Sequence, residues 1–334
     1  MFGFSCTPAP AAKSANAGKP FSVAVFVPGV VQGSPTYEML VAGVEAAKIK
    51  ASALGRSIES KVVEAGFNQS EWQNGLTALA SGDYDLIISS NPSMPDIAAA
   101  VSANLPKSKF LILDGSLAGN PAIKTIDFDN YQQAYLNGYF SALVSASDLN
   151  PTKDALVVGL LAGQEYPVMN TQIKAGFLDG AKAVNPGFKL DFRVLGNWYD
   201  AAKAAELAKS MIAAKSRVIL TIAGGGNQGV IAAAKEAGSY VMWFDDPRYA
   251  AGAGTVIGST LVKQTDACTE AIMKALDGSL DYGVPTRLGI KEGAVGFDFE
   301  NPAFAKPVPA ELVAKVRSLV EAVKSGKTVL AAKP

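Results

Sequence analysis

Residues 216–248 read SRVILTIAGGGNQGVIAAAKEAGSYVMWFDDPR: a strand, a glycine-rich turn, a helix and a second strand in succession. Val218–Ile222 is a short apolar run rich in β-branched residues, the composition of a strand buried on both faces. Gly224, Gly225 and Gly226 let the backbone turn sharply and let a ligand come close, because no Cβ stands in the way. Residues 230–237 favour helix and Gly238 stops it. Residues 241–244 form the next strand, which delivers Asp245 and Asp246 to its carboxyl end. In an open parallel sheet, ligands bind beyond those carboxyl ends, so the unit is a binding platform. Two readings of its glycines compete. Gly224, Gly226 and Gly229 satisfy the G-x-G-x-x-G spacing of a dinucleotide fold. They also suit the tight geometry of an ordinary βαβ turn, and they lie far from the first βαβ unit, where the dinucleotide fingerprint belongs.

At 334 residues the chain is long enough for two domains, each with its own core. Thirty basic and thirty acidic residues cancel, which removes the electrostatic argument for nucleic acid or an anionic membrane surface. There is no histidine, so the commonest proton-transfer side chain is missing, and an oxidoreductase would have to work through Tyr and Lys. No stretch reaches the ~18 apolar residues of a membrane span. Of the two cysteines, Cys268 falls in a helical pattern, where a buried free thiol is expected. Cys6 follows Phe2-Gly3-Phe4-Ser5 and precedes a run of Ala, Pro, Ser, Lys and Gly up to Lys19. A small residue and then Cys ahead of a polar tether resembles a bacterial lipobox, without the usual basic and apolar signal regions. A stray cysteine in a loose tail is the competing reading.

Strands are expected at 21–27, 58–63, 84–89, 109–113 and, edge-like, at 123–128, with helices between them and a long helix over 129–144. Tyr131, Tyr135 and Tyr139 recur every four residues on that helix, a stripe for packing rather than for a cofactor. The pattern then restarts with a strand at 156–161, a helix at 169–183, a strand at 189–195 and a helix at 201–214 capped by Asp200. After the platform come a strand at 254–258, a helix at 265–276, a short strand pair (288–292 with 294–299) and a last helix at 309–325. Two successive β-α-β-α series, crossing near residues 129 and 256, predict two similar lobes around a cleft. Their expected bounds are 20–129 plus 256–287 and 130–255 plus 288–327, with a flexible tether at 1–19 and a tail at 328–334.

Motifs for metal or nucleophile chemistry do not occur: no C-x-x-C, no G-x-x-x-x-G-K, no G-x-S-x-G. Asp245 and Asp246 are adjacent on a strand end, so their side chains diverge, which suits hydrogen bonds to hydroxyls better than a carboxylate dyad. Aromatic and polar residues gather at the predicted strand ends instead: Tyr37, Asn91, Asp114, Tyr166, Trp198, Tyr199, Asn227 and Asp245, with Ser34 in the first loop and Gly225 in the turn. Aromatic faces with a few polar anchors fit a flat heterocycle that carries hydroxyls.

Ordered motifs extend the argument. SGDYDLII (81–88), YLNGYFSAL (135–143), VGLLAG (158–163), AGFLDGA (175–181), GNWYD (196–200), AGGGNQGVIAAAKEAG (223–238), Asp245 and STLVK (259–263) together resemble the bacterial Bmp/PnrA family of ABC-transporter substrate-binding lipoproteins. The resemblance covers residues 20–325. It implies an α/β periplasmic-binding-protein fold of type I, in which two Rossmann-like lobes close on a ligand in the interlobe cleft. It also implies lipidation of Cys6 and no catalysis, which sets an NAD-dependent oxidoreductase last. Family members that bind purine nucleosides stack the base between aromatics and hold the ribose with an aspartate that matches Asp245. The matching lysine is Lys263 and the matching aromatic is Trp198.

The first loop departs from those nucleoside binders. Gly33-Ser34-Pro35-Thr36-Tyr37 stands where they carry D-x-S-F-N, while the FNQS at 67–70 follows the second strand and is coincidental. With Tyr166 and the Trp198-Tyr199 pair, this loop looks like the riboflavin-binding branch. The expectation is a monomeric, lipid-anchored periplasmic protein that captures riboflavin and passes it to an ABC permease. It would use no catalytic cofactor, no metal and no nucleic acid, and it would touch the membrane only through its N-terminal lipid. A purine nucleoside is the alternative ligand.

Overall fold

Apolar runs and glycine-punctuated turns assemble as two six-stranded sheets in the computed structural model, which describes residues 19–330. The chain begins with β1 (Phe21–Val27), α1 (Pro35–Ala53), β2 (Ile58–Glu64), α2 (Gln69–Ala80), β3 (Leu86–Ser90), α3 (Met94–Asn104), β4 (Phe110–Leu113) and β5 (Ile123–Phe128). It crosses to the second lobe through α4 (Asn130–Ser145). There it continues with β6 (Val157–Ala162), a π-helical turn (Met169–Ile173) running into α5 (Lys174–Val184), β7 (Lys189–Val194), α6 (Ala201–Ala213), β8 (Val218–Ile222), α7 (Asn227–Glu236), β9 (Tyr240–Trp243) and β10 (Val256–Val262). The remainder is α8 (Gln264–Leu276), β11 (Thr286–Leu288), β12 (Val295–Phe297) and α9 (Ala310–Lys324).

The sheet orders are β11-β5-β4-β3-β1-β2 and β12-β10-β9-β8-β6-β7. All pairings are parallel except β10 with β12. In the first lobe the strands alternate between two cores. Val23, Val25 and Val27 join Leu40, Leu86 and Leu111 on one face. Ala24 and Phe26 join Trp72, Leu76 and Phe110 on the other. Each fully buried Val, Leu or Phe here contributes about 1.5–3 kcal/mol, so a sheet covered on both faces is held firmly enough to present a site at the carboxyl ends of its strands.

Three expectations need correcting. Residues 256–262 belong to the second sheet, where β10 pairs with β9, and not to the first lobe; a strand's sheet is chosen by long-range pairing that its own pattern does not specify. The segments near 288 and 295 do not pair with each other. β11 joins β5 in the first sheet, the chain turns through Gly289–Gly293, and β12 joins β10 in the second. Consequently β5 is an interior strand, covered by β11, and not an edge. Asp200 does cap α6, its Oδ1 accepting from Lys203 N at 2.9 Å. Ser34 precedes α1 without a side-chain cap; Glu38 Oε1 accepts from Gly33 N instead, at 2.8 Å.

Glycines set the closest helix contacts. A Cβ on Gly138 would lie 1.9 Å from Phe177 O, and one on Gly180 would lie 2.1 Å from Tyr135 O, so α4 and α5 touch backbone to backbone. Beside these contacts Tyr131 donates to Asp179 Oδ2 at 2.9 Å. The tyrosine stripe is therefore packing surface. Cys268 is buried where α8 meets α1, and burial pushes its thiol up to about 12. Cys6 lies outside the described residues. Among the described residues, no helix is long and apolar enough to cross a membrane.

Candidate functional site

The carboxyl ends of the parallel strands from both sheets face one cleft. On the first lobe, Asn91 follows β3 and Asp114 follows β4; on the second, Asp245 lies two residues beyond β9. Asp114 (φ 57°) and Asp245 (φ 69°) both adopt the left-handed backbone region. That conformation costs an L-residue about 1–2 kcal/mol and concentrates at functional sites. Each is held by its neighbours: Asp114 N donates to Ile126 O at 2.9 Å, and Asp245 O accepts from Val262 N at 3.2 Å.

The first lobe supplies an anchored wall. Tyr37 is 9 % exposed and donates its hydroxyl to Pro28 O at 2.9 Å, with Asn91 Nδ2 at 3.4 Å from the same oxygen. Asn91 Oδ1 is occupied by Ser93 N at 2.9 Å. The second lobe supplies an aromatic shelf. Tyr166 and Trp198 meet with centroids 6.3 Å apart at 43°. The indole lies over Gly163, where a Cβ would sit 2.5 Å from Trp198 Cε3, so VGLLAG ends in glycine to admit the ring. Trp198 itself is 37 % exposed.

Two carboxyls dominate the electrostatics. Burial, reinforced by Asp245 and Asp127, pushes Asp114 well above the ordinary carboxylate range. Burial raises Asp245 to about 6, against a hydrogen bond from Gln133, with Asp246 adding repulsion. Tyr166 is raised by burial and then by the charges of both Asp114 and Asp245. Burial also pushes Tyr37 up to about 12, opposed by Asn91, with Asp114 adding to the rise. Among the described residues, neither Asp114 nor Asp245 is joined to a Lys or Arg in an ion pair. A cleft of this kind favours neutral ligands that donate hydrogen bonds.

The glycine turn is occupied by its own structure. Gly225 N donates to Trp198 O at 2.8 Å, Gly226 N to Ala223 O at 3.0 Å, and Ala223 N to Asn227 Oδ1 at 2.8 Å. Those N–H groups are spent, so they do not cradle a phosphate. A Cβ on Gly229 would lie 1.8 Å from Ala201 O, so this glycine serves the contact of α6 with α7. The dinucleotide spacing is a packing pattern. Asn227 is buried, and its Oδ1 also accepts from Thr221 at 2.7 Å, which turns it inward.

Of the remaining candidates, Tyr199 is 77 % exposed, and Ser34 is half-buried at the start of α1. Lys263 is exposed between β10 and α8, its N–H bonded to Ala294 O at 2.9 Å. Tyr37, Asn91, Asp114, Tyr166, Trp198 and Asp245 are thus the ones the fold brings together.

Sequence reasoning missed Gln133, Glu38 and Arg248. Gln133 Nε2 donates to Asp245 Oδ1 at 2.8 Å from within α4. Its signal was present: Gln133, Asn137, Ser141 and Ser145 repeat a polar residue at four-residue spacing along the helix. Arg248 Nη2 reaches across the lobes to Glu38 Oε2 while its Nε donates to Asp246 Oδ2 at 2.7 Å. No local pattern announces that bridge, because its ends are 210 residues apart.

Comparison with known proteins adds to this geometry. The model of the Bmp family, described as ABC transporter substrate-binding protein PnrA-like, matches residues 21–327. Basic membrane protein A of Borreliella afzelii is 26 % identical over 306 residues, covering 87 % of this chain and 90 % of that one. An ABC transporter nucleoside-binding protein of Lactococcus lactis is 25 % identical, covering 70 % and 68 %. Among solved structures, an ABC transporter solute-binding protein of Aeropyrum pernix superposes with a TM-score of 0.79 at 21 % identity, covering 94 % of each chain. This last likeness concerns the fold, the two-lobed α/β architecture of type I solute-binding proteins.

Proposed function

The chain belongs to the Bmp family of PnrA-like ABC-transporter substrate-binding proteins, and from that premise we propose that it captures a neutral, hydroxylated aromatic ligand between its lobes for delivery to a permease. The observation that carries this reading is the pairing of two cation-free carboxyls, Asp114 and Asp245, with the Tyr166–Trp198 shelf. The shelf offers a stacking face, and a carboxylate accepts from hydroxyls. Burying an anionic ligand beside two acids would be costly. The chain acts by binding, without catalysis.

Riboflavin is the first reading of the ligand. Its isoalloxazine is broad and uncharged, and its ribityl chain offers hydroxyls to Asp245. The loop supports it, since Gly33-Ser34-Pro35-Thr36 places neither an acid nor an aromatic ahead of Tyr37. A purine nucleoside is the second reading, favoured by the nucleoside-binding name of the Lactococcus lactis relative. In either case the protein works outside the cytoplasm, tethered through a lipid on Cys6.

Titration of the ligand-free protein with riboflavin is expected to quench flavin fluorescence, and protein purified from its native host is expected to carry a visible flavin absorbance. Guanosine or inosine binding by calorimetry, with no flavin response, would transfer the assignment to the second reading. If neither class binds at micromolar concentration, both readings fail.

A further inference from the structure

One edge of α4 is neither apolar nor solvated. Gln133, Asn137 and Ser141 are 0 % exposed and Ser145 is 1 % exposed. Each has a side-chain oxygen with no hydrogen-bond partner among the described residues: Gln133 Oε1, Asn137 Oδ1, Ser141 Oγ and Ser145 Oγ. A four-residue step keeps successive side chains adjacent on an α-helix while turning about 40° around its axis, so these oxygens form an oblique row that rises about 18 Å at 1.5 Å per residue. The row starts at the cleft, where Gln133 Nε2 donates to Asp245 Oδ1 at 2.8 Å. One turn further in, Asn137 Nδ2 donates to Thr260 Oγ1 of β10 at 2.8 Å. Both amides are therefore oriented, each with one N–H committed and its carbonyl oxygen left over.

A buried polar atom without a partner costs about 1–3 kcal/mol, and native interiors rarely accept four of them in line. The two amide oxygens accept only, so each needs a donor. Water is the small species that donates twice and accepts twice. One molecule can therefore serve two acceptors a helical turn apart, and others can serve the serine hydroxyls beyond.

We propose that this edge of α4 is an internal water site: a file of ordered waters leading from beneath Asp245 into the second lobe, its first member donating to both Gln133 Oε1 and Asn137 Oδ1. By holding the carbonyl of Gln133, that water keeps the amide N–H on Asp245 Oδ1 and leaves the other carboxylate oxygen for the ligand. Gln133 and Asn137 are then positioning residues. The positioning role rests on the proposed part of Asp245 in ligand binding, whereas the water file does not.

The two claims are tested separately. In ligand-free protein, water-to-amide cross-relaxation by NMR is expected at the side-chain NH₂ groups of Gln133 and Asn137, and a crystal structure at water-resolving resolution should place a water between their oxygens. Protein donors or a cation bonded to those oxygens, or no ordered water beside them, overturns the file whatever the ligand proves to be. Asn137→Leu is expected to abolish the cross-relaxation at Gln133, to weaken ligand binding about fivefold, the worth of one hydrogen bond, and to move the pH dependence of binding. Asn137→Ser keeps an oxygen and leaves room for water, and is expected to restore all three. Unchanged affinity and pH profile in a folded Asn137→Leu protein would remove the positioning role. Failure of every flavin and nucleoside to bind the parent protein would instead count against the proposed ligand class.

Discussion

Tyr37 of the first lobe and Trp198 of the second both follow a strand and both border the cleft, yet they are held in different ways. Tyr37 is 9 % exposed, bonded to Pro28 O and backed by Asn91, so its position is fixed by the core of its own lobe. Trp198 is 37 % exposed and rests on Gly163 and Tyr166, with much of its indole face free. The first wall is built in advance. The second is unfinished, and a ligand would complete it by covering the ring. On the proposed reading, preorganisation on one side would lower the ordering cost of binding, and an open shelf on the other would admit the ligand before any closure of the lobes.

Truncating the two aromatics breaks the comparison most directly. Tyr37→Ala is expected to cost about 3–5 kcal/mol of stability, read by denaturant unfolding, because it empties a buried position and strands Pro28 O. Trp198→Ala is expected to leave unfolding nearly unchanged while costing about 1–3 kcal/mol of ligand affinity, read by calorimetry. An equal loss of stability in the two variants would erase the distinction between wall and shelf.

The carboxyl pair sharpens it. The folded value of Asp245, about 6, lies above the ordinary 3.8, so the native state holds this proton more tightly than the unfolded chain does. Its contribution to stability is complete below the ordinary value and is lost as pH rises through about 6. Asp114 is shifted in the same direction by burial. Asp245→Asn is thus expected to raise the stability of ligand-free protein near pH 8 by about 1–2 kcal/mol, screening having reduced the effect, with the gain fading toward pH 4. The same variant should bind ligand more weakly. Thermal melts at the two pH values check the first effect, and a gain that persists undiminished at low pH would contradict it.

The smallest effect concerns the bridge between the lobes. Glu38→Gln removes the acid that Arg248 reaches across the cleft, while Asp246 still holds the guanidinium. Both partners are partly solvated, so the loss should be at most about 1 kcal/mol of ligand affinity. The parent's affinity is expected to fall with added salt and the variant's to change less, a difference that titrations at two ionic strengths would reveal.

Much of the cleft was legible in local pattern. Short β-branched runs ending in Asn, Asp or an aromatic mark strand ends, and strand ends of parallel sheets converge; hence Tyr37, Asn91, Asp114, Tyr166, Trp198 and Asp245 could be named from their positions. Asn227 and Tyr199 satisfied the same rule and went elsewhere, inward to Thr221 and outward to solvent. Whether a loop side chain faces a ligand depends on rotamer and on competing partners, and neither is written in spacing.

The sequence by itself determined the two β-α-β-α series, the helix that Asp200 caps, the absence of histidine chemistry and the membership of a binding-protein family. The first three follow from periodicity, capping and composition, which act within a few residues or over the whole chain at once; the family follows from the resemblance of the ordered motifs. Only the tertiary structure decided that β10 belongs to the second sheet and that β11 and β12 part company. It alone showed that the G-x-G-x-x-G glycines serve helix and loop packing, and that Gln133 stands under Asp245. Each of these depends on contacts between residues distant in the chain, where hydrogen-bond partners are chosen by packing and not by neighbours in sequence.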